Sequence, residues 1–195
     1  MLRKSYLIKF VVLGTAFMIV PFIKSFCEEE NMKKQHINQE EIKVVGIQVR
    51  TNNNFEMNPA EAKIGSLVGK YFGTNVASLI PERKTPGITF CAYTDYESDH
   101  TGDYTYFIGE EVTDTSSIPD GYVSLIIPKG DYVKFTSESG AIPNVVLELW
   151  QKIWKMNSEE FDGKRLFEVD YEIYDARATD PQSAIVDICI GIKKP

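Results

Sequence analysis

An α+β domain made of two tandem β-α-β-β modules is predicted by three features of the sequence. Apolar residues recur at helical spacing over 58–73 and 142–156, strand-like runs flank both segments, and the order strand, helix, strand, strand occurs twice. The chain has 195 residues, 43% hydrophobic and 12% aromatic, enough for one domain with a sizeable core, which excludes most multidomain enzymes. Modules of this order form antiparallel sheets covered by a helix on one face, so the opposite face is left for another use.

The first module begins at Ile42, where Ile42–Arg50 alternates over its second half as a strand does, and Thr51–Asn54 supply turn chemistry. Asn58-Pro59 predicts a helix start with proline at the first helical position. Ile64, Leu67, Val68, Tyr71 and Phe72 then line one face, and Gly73 ends it. Two strands follow, Ile88–Thr94 and Tyr104–Val112, joined by the polar segment Asp95–Asp103. In the second module Gly121–Pro128 and Asp131–Ser137 are strands split by the Pro128-Lys129-Gly130 turn. Ile142–Met156 is an amphipathic helix whose core face holds Val145, Val146, Leu149, Ile153 and one of Trp150 and Trp154. Phe167–Asp175 and Ala184–Lys193 close a hairpin-like pair.

Upstream of this body, residues 1–27 carry Arg3, Lys4, Lys9 and Lys24 but no acid, around the apolar run Phe10–Ile23. Small residues at Ser25 and Cys27, ahead of Glu28-Glu29-Glu30, fit a signal cleavage site, so export to the periplasm or the cell exterior is expected. Lys24 interrupts the cleavage region and leaves a second option, an uncleaved membrane anchor over residues 5–26; Phe26 makes a lipoprotein signal the weaker reading. Residues 28–41, polar apart from Met32 and Ile37, are expected to be a tether. Contact with a membrane is expected only if the N-terminal segment is retained.

The net charge is -7, and removing residues 1–27 leaves 17 basic against 28 acidic residues, a body of -11. Its basic residues are scattered, so no nucleic-acid partner is expected. After loss of Cys27, Cys91 and Cys189 remain; an oxidising compartment permits a disulfide, but in strand-like runs such as theirs a buried free thiol is the more common state. His36 and His100 lack a second ligand at metal spacing, and nucleophile motifs and glycine-rich phosphate loops are missing, so neither a metal nor a cofactor is expected.

The segment Tyr171-Glu172-Ile173-Tyr174-Asp175-Ala176-Arg177, with Asp180-Pro181 and the final strand Val186–Ile192, resembles the closing hairpin of the GyrI-like family, the AraC-type effector-binding domains. Gly121-Tyr122 through Tyr132, with its Pro-Lys-Gly turn, and Phe107-Ile108-Gly109-Glu110-Glu111-Val112 resemble further parts of that family in the same order, so the likeness covers residues 42–195. The resemblance implies two modules related by a pseudo-twofold axis. Between them it implies a groove that takes small organic molecules, often cationic and aromatic, around an acidic residue walled by aromatics.

Period-two alternation places Glu172 and Tyr174 on one face of their strand and Tyr171 and Ile173 on the other, the latter expected beneath the helix. Glu172 is then the expected acid of the groove, with Tyr174 beside it. Tyr93 and Cys91 lie opposite on the equivalent strand of the first module, and Phe107 and Trp154 are further candidates for the wall. A carboxylate withdrawn from water is costly unless paired, so an aromatic cation would gain charge compensation and ring contact together. The expected function is that of a stand-alone exported protein that binds a small cationic or aromatic amphiphile, and more in keeping with a binder than an enzyme. Two alternatives stay open: a hydrolase of strained or toxic small molecules with Glu172 as general base, and a module that binds and inhibits a protein partner. Many relatives carry a helix-turn-helix DNA reader; here an export segment and tether precede the domain, which speaks against transcriptional control.

Overall fold

The computed structural model describes residues 32–195, so the export or anchor segment lies outside the described residues. The elements run β1 (Lys33–Gln39), β2 (Ile42–Thr51), α1 (Asn53–Glu56), α2 (Ile64–Gly73), β3 (Thr89–Thr94), β4 (Tyr104–Glu111), β5 (Val123–Ile127), β6 (Gly130–Thr136), α3 (Asn144–Trp154), β7 (Lys164–Arg165), β8 (Val169–Tyr174) and β9 (Asp187–Lys193). The class is α+β, as the sequence predicts, with the strands joined in a single nine-stranded sheet in which every pairing is antiparallel.

The strand order β1-β6-β9-β8-β3-β4-β2-β5 contains the two modules back to back, β6-β9-β8 against β3-β4-β2. Exchanging β2 with β6, β3 with β8 and β4 with β9 maps one half onto the other, and the β3–β8 pair is the seam. The sheet must also curl strongly. Only Glu40 and Glu41 separate β1 from β2, and only Pro128 and Lys129 separate β5 from β6, yet each linked pair occupies opposite ends of the strand order. Six strand spacings of about 4.8 Å exceed twofold what two linking residues can span. The two ends are therefore brought together, and the enclosed face forms one apolar cluster with Ile42, Val44, Phe90, Phe107, Ile127, Tyr132, Tyr171 and Cys189.

This curl overturns three expectations. The face beneath the helices is that of Glu172, not that of Tyr171 and Ile173, because the apolar side of β8 is consumed by the rolled interior and no helix residue contributes to that cluster. Phe107, fully buried in that interior, is on the wrong face to wall a groove with Glu172. Residues 33–39, read as tether, form β1 along β6, with Ile37 packed against the rolled interior.

Helix α3 buries Val145, Val146, Leu149, Trp150 and Ile153 as its spacing predicts. Helix α2 begins at Ile64 instead of near Asn58. Glu56 explains the later start: its carboxylate accepts from the backbone amides of Lys63 (3.0 Å) and Ile64 (3.1 Å), satisfying helix donors that Pro59 was expected to spare. Gly46 and Gly109 face each other across β2 and β4. A Cβ on Gly46 would strike the Ile108 carbonyl and lie 2.6 Å from the Gly109 Cα, so the close strand approach needs glycine. Gly46→Ala is expected to lower stability by about 2 kcal/mol, or about 4 to 8 °C in Tm by thermal unfolding; an unchanged Tm would show that the sheet relaxes freely here.

Candidate ligand-binding site

Strand β8 is antiparallel to β3 with Cys91 opposite Glu172, so the seam between modules places Glu172 at the centre of the helix-covered face. The side chain is 1% exposed. Its Oε1 accepts hydrogen bonds from Trp150 Nε1 (2.6 Å) and the Tyr93 hydroxyl (2.8 Å), and its Oε2 accepts one from the Tyr174 hydroxyl (2.8 Å). Each donor comes from a different element, α3, β3 and β8, so the carboxylate joins the two modules. Burial pushes the Glu172 carboxyl above the ordinary carboxylate range, while the bonds from Trp150, Tyr174 and Tyr93 pull it partly back. Among the described residues no basic side chain bonds to it.

Around this acid the rings interlock. Tyr93 meets Trp150 edge-on at 4.9 Å between centroids and Tyr106 at 5.2 Å, Trp150 stacks with Trp154 at 6.1 Å, and His100 stacks on Trp154 at 5.9 Å. A cleft runs between Asn53, Tyr93, Tyr96, His100, Tyr104, Trp150, Trp154 and Arg165, and these side chains close on one another to leave about 10 Å³, room for about one water. A larger open hollow near the C-terminus, lined by Ser158, Glu159, Asp162, Gly163, Lys164, Lys193, Lys194 and Pro195, has no aromatic wall.

Asp170, two residues before Glu172 and on the same face of β8, is 0% exposed and fully satisfied within the chain. Arg165 donates to its Oδ2 through Nη2 (2.7 Å) and Nε (3.2 Å), the Tyr96 hydroxyl donates at 2.9 Å, and the Gly191 amide donates to Oδ1 at 3.0 Å. The Arg165 guanidinium lies 4.3 Å from the Phe167 ring centroid and 5.8 Å from that of Trp150. His100 is held below its usual value by burial and by the Arg165 charge.

Of the candidates read from sequence, the structure brings Glu172, Tyr174, Tyr93 and Trp154 together, Tyr93 and Trp154 on the cleft wall and Tyr174 against the carboxylate. Cys91 adjoins Glu172 across the strand pair but does not line the cleft. Burial and the neighbouring Glu172 charge push its thiol up, which leaves it inert. Cys91 and Cys189 are both free and buried, in clusters on opposite faces of the sheet, so they form no disulfide. Sequence reasoning missed Tyr96, His100, Tyr104 and Arg165, and it left Trp150 undecided. Asp170 was missed as well, and unlike the others it carried a signal, its period-two relation to Glu172.

A duplicated β-α-β-β fold with a buried acid ringed by aromatics at the seam defines a small-molecule effector-binding domain of the GyrI-like type. The chain belongs to the Cass2 family, integron-associated effector binding proteins, whose model matches residues 37–192. It is similar to the putative transcriptional regulator protein YobU of Bacillus subtilis (strain 168), 31% identical over 160 residues, covering 82% of this chain and 98% of that protein. Among solved structures it is similar to the integron cassette protein from the mobile metagenome of Vibrio cholerae, with 28% identity and a TM-score of 0.64 over 84% of this chain and all of that one. It also shares its fold with SAV2435 bound to tetraphenylphosphonium, at 18% identity and a TM-score of 0.66, covering 83% and 94% of the two chains.

Proposed function

We propose that this protein binds a small aromatic cation, with Glu172 as counter-ion and Tyr93, Trp150 and Trp154 as walls. The observation that carries the reading is a fully buried carboxylate that has three hydrogen-bond donors and, among the described residues, no bonded cation. Burying such a charge is costly, and a guest cation offsets that cost while its rings replace the contacts that the wall makes with itself. The tetraphenylphosphonium held by SAV2435, of the same fold, supports the class of ligand. A guest of that size enters only when the part-exposed outer wall, Trp154 and His100, swings away from Trp150. The export features of residues 1–27 add that the ligand is met outside the cytoplasm. Hydrolysis by Glu172 is the less favoured reading, because three of the carboxylate's roughly four acceptor positions are already taken by Tyr93, Trp150 and Tyr174.

Titration calorimetry with tetraphenylphosphonium tests the reading, and its pH dependence has a determined sign. The probe does not titrate, and it favours ionised Glu172. Affinity should therefore fall as pH drops below the raised carboxyl pKa, by about ten- to hundredfold in all as Glu172 loses its charge, and level off above it. The neighbouring Tyr93, Tyr106, Tyr174 and Cys91 are all pushed up by burial and stay protonated through this range. His100, pushed down, adds to the loss only at lower pH, and Glu172→Gln separates the two contributions. In the free protein the same raised pKa means that Glu172 favours folding most at acid pH, a contribution lost as pH rises through the folded value. Pairing with a cation opposes that loss, so the probe should raise Tm more at pH 8 than at pH 5. Absence of binding at pH 8, or recovery of a chemically altered ligand by mass spectrometry, would overturn the proposal.

A further inference from the structure

We propose that the cleft has a second, electropositive pole at Arg165, and that its ligand is an aromatic zwitterion with its cation at Glu172 and a carboxylate or similar anionic group at Arg165. This deepens the reading of the Glu172 site and rests on it.

Arg165 lines the cleft, whereas Asp170 and Glu172 lie behind the lining, Glu172 directly behind Tyr93 and Trp150, which bond to it, so of these charged groups the guanidinium is the one already presented to a guest and Glu172 is reached when the wall opens. The two poles flank the same side chain: Trp150 Nε1 donates to Glu172, and the indole ring lies 5.8 Å from the Arg165 carbon Cζ. They are thus about one indole apart, within a Debye length and behind low-dielectric walls, where charge is poorly screened. His100 stands in the same field: after burial, the Arg165 charge helps to hold its pKa down, while Asp99 pulls it up. Phe167 at 4.3 Å and Trp150 fix the guanidinium from the ring side, and Asp170 with Tyr96 fixes it from below. A guest with a second positive charge at this end is repelled; a guest with an anionic group there gains a charge-assisted hydrogen bond from a donor already in place.

Rhodamine B and its ethyl ester separate these cases. Both carry the same aromatic cation, but the acid also carries a benzoate, which makes it a zwitterion at neutral pH. By fluorescence anisotropy at pH 8, the wild-type chain should bind the acid about tenfold more tightly than the ester. The double variant Arg165→Gln/Asp170→Asn, which leaves a neutral pair in place of the ionic one, should bind acid and ester with equal affinity. Arg165→Lys, which keeps the charge, should retain the preference in reduced form. An ester bound as tightly as the acid by wild type, a preference that survives the double variant, or binding of tetraphenylphosphonium but of neither dye would overturn the second pole while leaving the cation site standing. Failure of all three probes would remove the Glu172 reading and this one with it. The wild-type comparison decides the matter even if the double variant does not fold.

Discussion

Glu172→Gln is expected to weaken tetraphenylphosphonium binding by about ten- to hundredfold while leaving a neutral analogue, triphenylphosphine oxide, within about twofold. A charge-assisted contact contributes roughly 1.5 to 3 kcal/mol, and each 1.4 kcal/mol is about a decade in affinity. The glutamine keeps the length and branching of the side chain, and its carbonyl still accepts from Trp150 or a tyrosine, so the walls keep their shape. Stability at pH 8 should change by less than about 1 kcal/mol, because the variant loses a hydrogen bond to a charged acceptor and also the cost of burying that charge. Calorimetry with both probes checks the first statement and urea unfolding the second. Equal losses for cation and neutral probe would mean that the substitution had disturbed the cleft's shape, and the charge argument would fail.

How much of this site could be read from the chain depends on which face of β8 carried the signal. Alternation alone put Glu172 and Tyr174 on one side and Tyr171 and Ile173 on the other, and that separation holds. Apolarity, however, points the helices to the wrong side. Here the apolar side is enclosed by the sheet itself, and the helices cover a face that carries Asp170, Glu172, Tyr93 and Tyr106. The information needed to see this lay in two-residue links at Glu40-Glu41 and Pro128-Lys129, but it is usable only once β1 is known to be a strand. Lys33–Gln39 has one large apolar residue, Ile37, because as an edge strand it presents little to the core. Tyr96 and His100 come from the polar stretch between β3 and β4, and Arg165 from a two-residue strand, where no periodicity exists to mark them. Helical spacing leaves open which of Trp150 and Trp154, four apart on α3, turns to the core; that Trp150 touches Glu172 follows only from the seam.

The two acids of β8 should answer to substitution in opposite ways, and this is the largest stability effect expected. Asp170 is completely withdrawn from water, and the charge of Arg165, itself only 7% exposed at its side chain, is what compensates it. Arg165→Gln strands that carboxylate with only Tyr96 and the Gly191 amide as donors, at an expected cost of about 3 to 5 kcal/mol. Removing both charges with Arg165→Gln/Asp170→Asn should recover most of the loss, since a buried neutral pair has no ionic desolvation to offset and can retain hydrogen bonds to Tyr96 and Gly191. Urea unfolding of the single and double variants measures the difference as a shift in midpoint at constant slope. A single variant that costs less than about 1 kcal/mol, or a double variant no better than the single, would show that Asp170 does not depend on the guanidinium. The contrast with Glu172, for which loss of charge should hardly alter folding, bears on function. On one strand, two residues apart and on the same face, one buried carboxylate has its own cation and the other has, among the described residues, only neutral donors. That contrast is the one the proposed aromatic cation, as partner of Glu172, would account for.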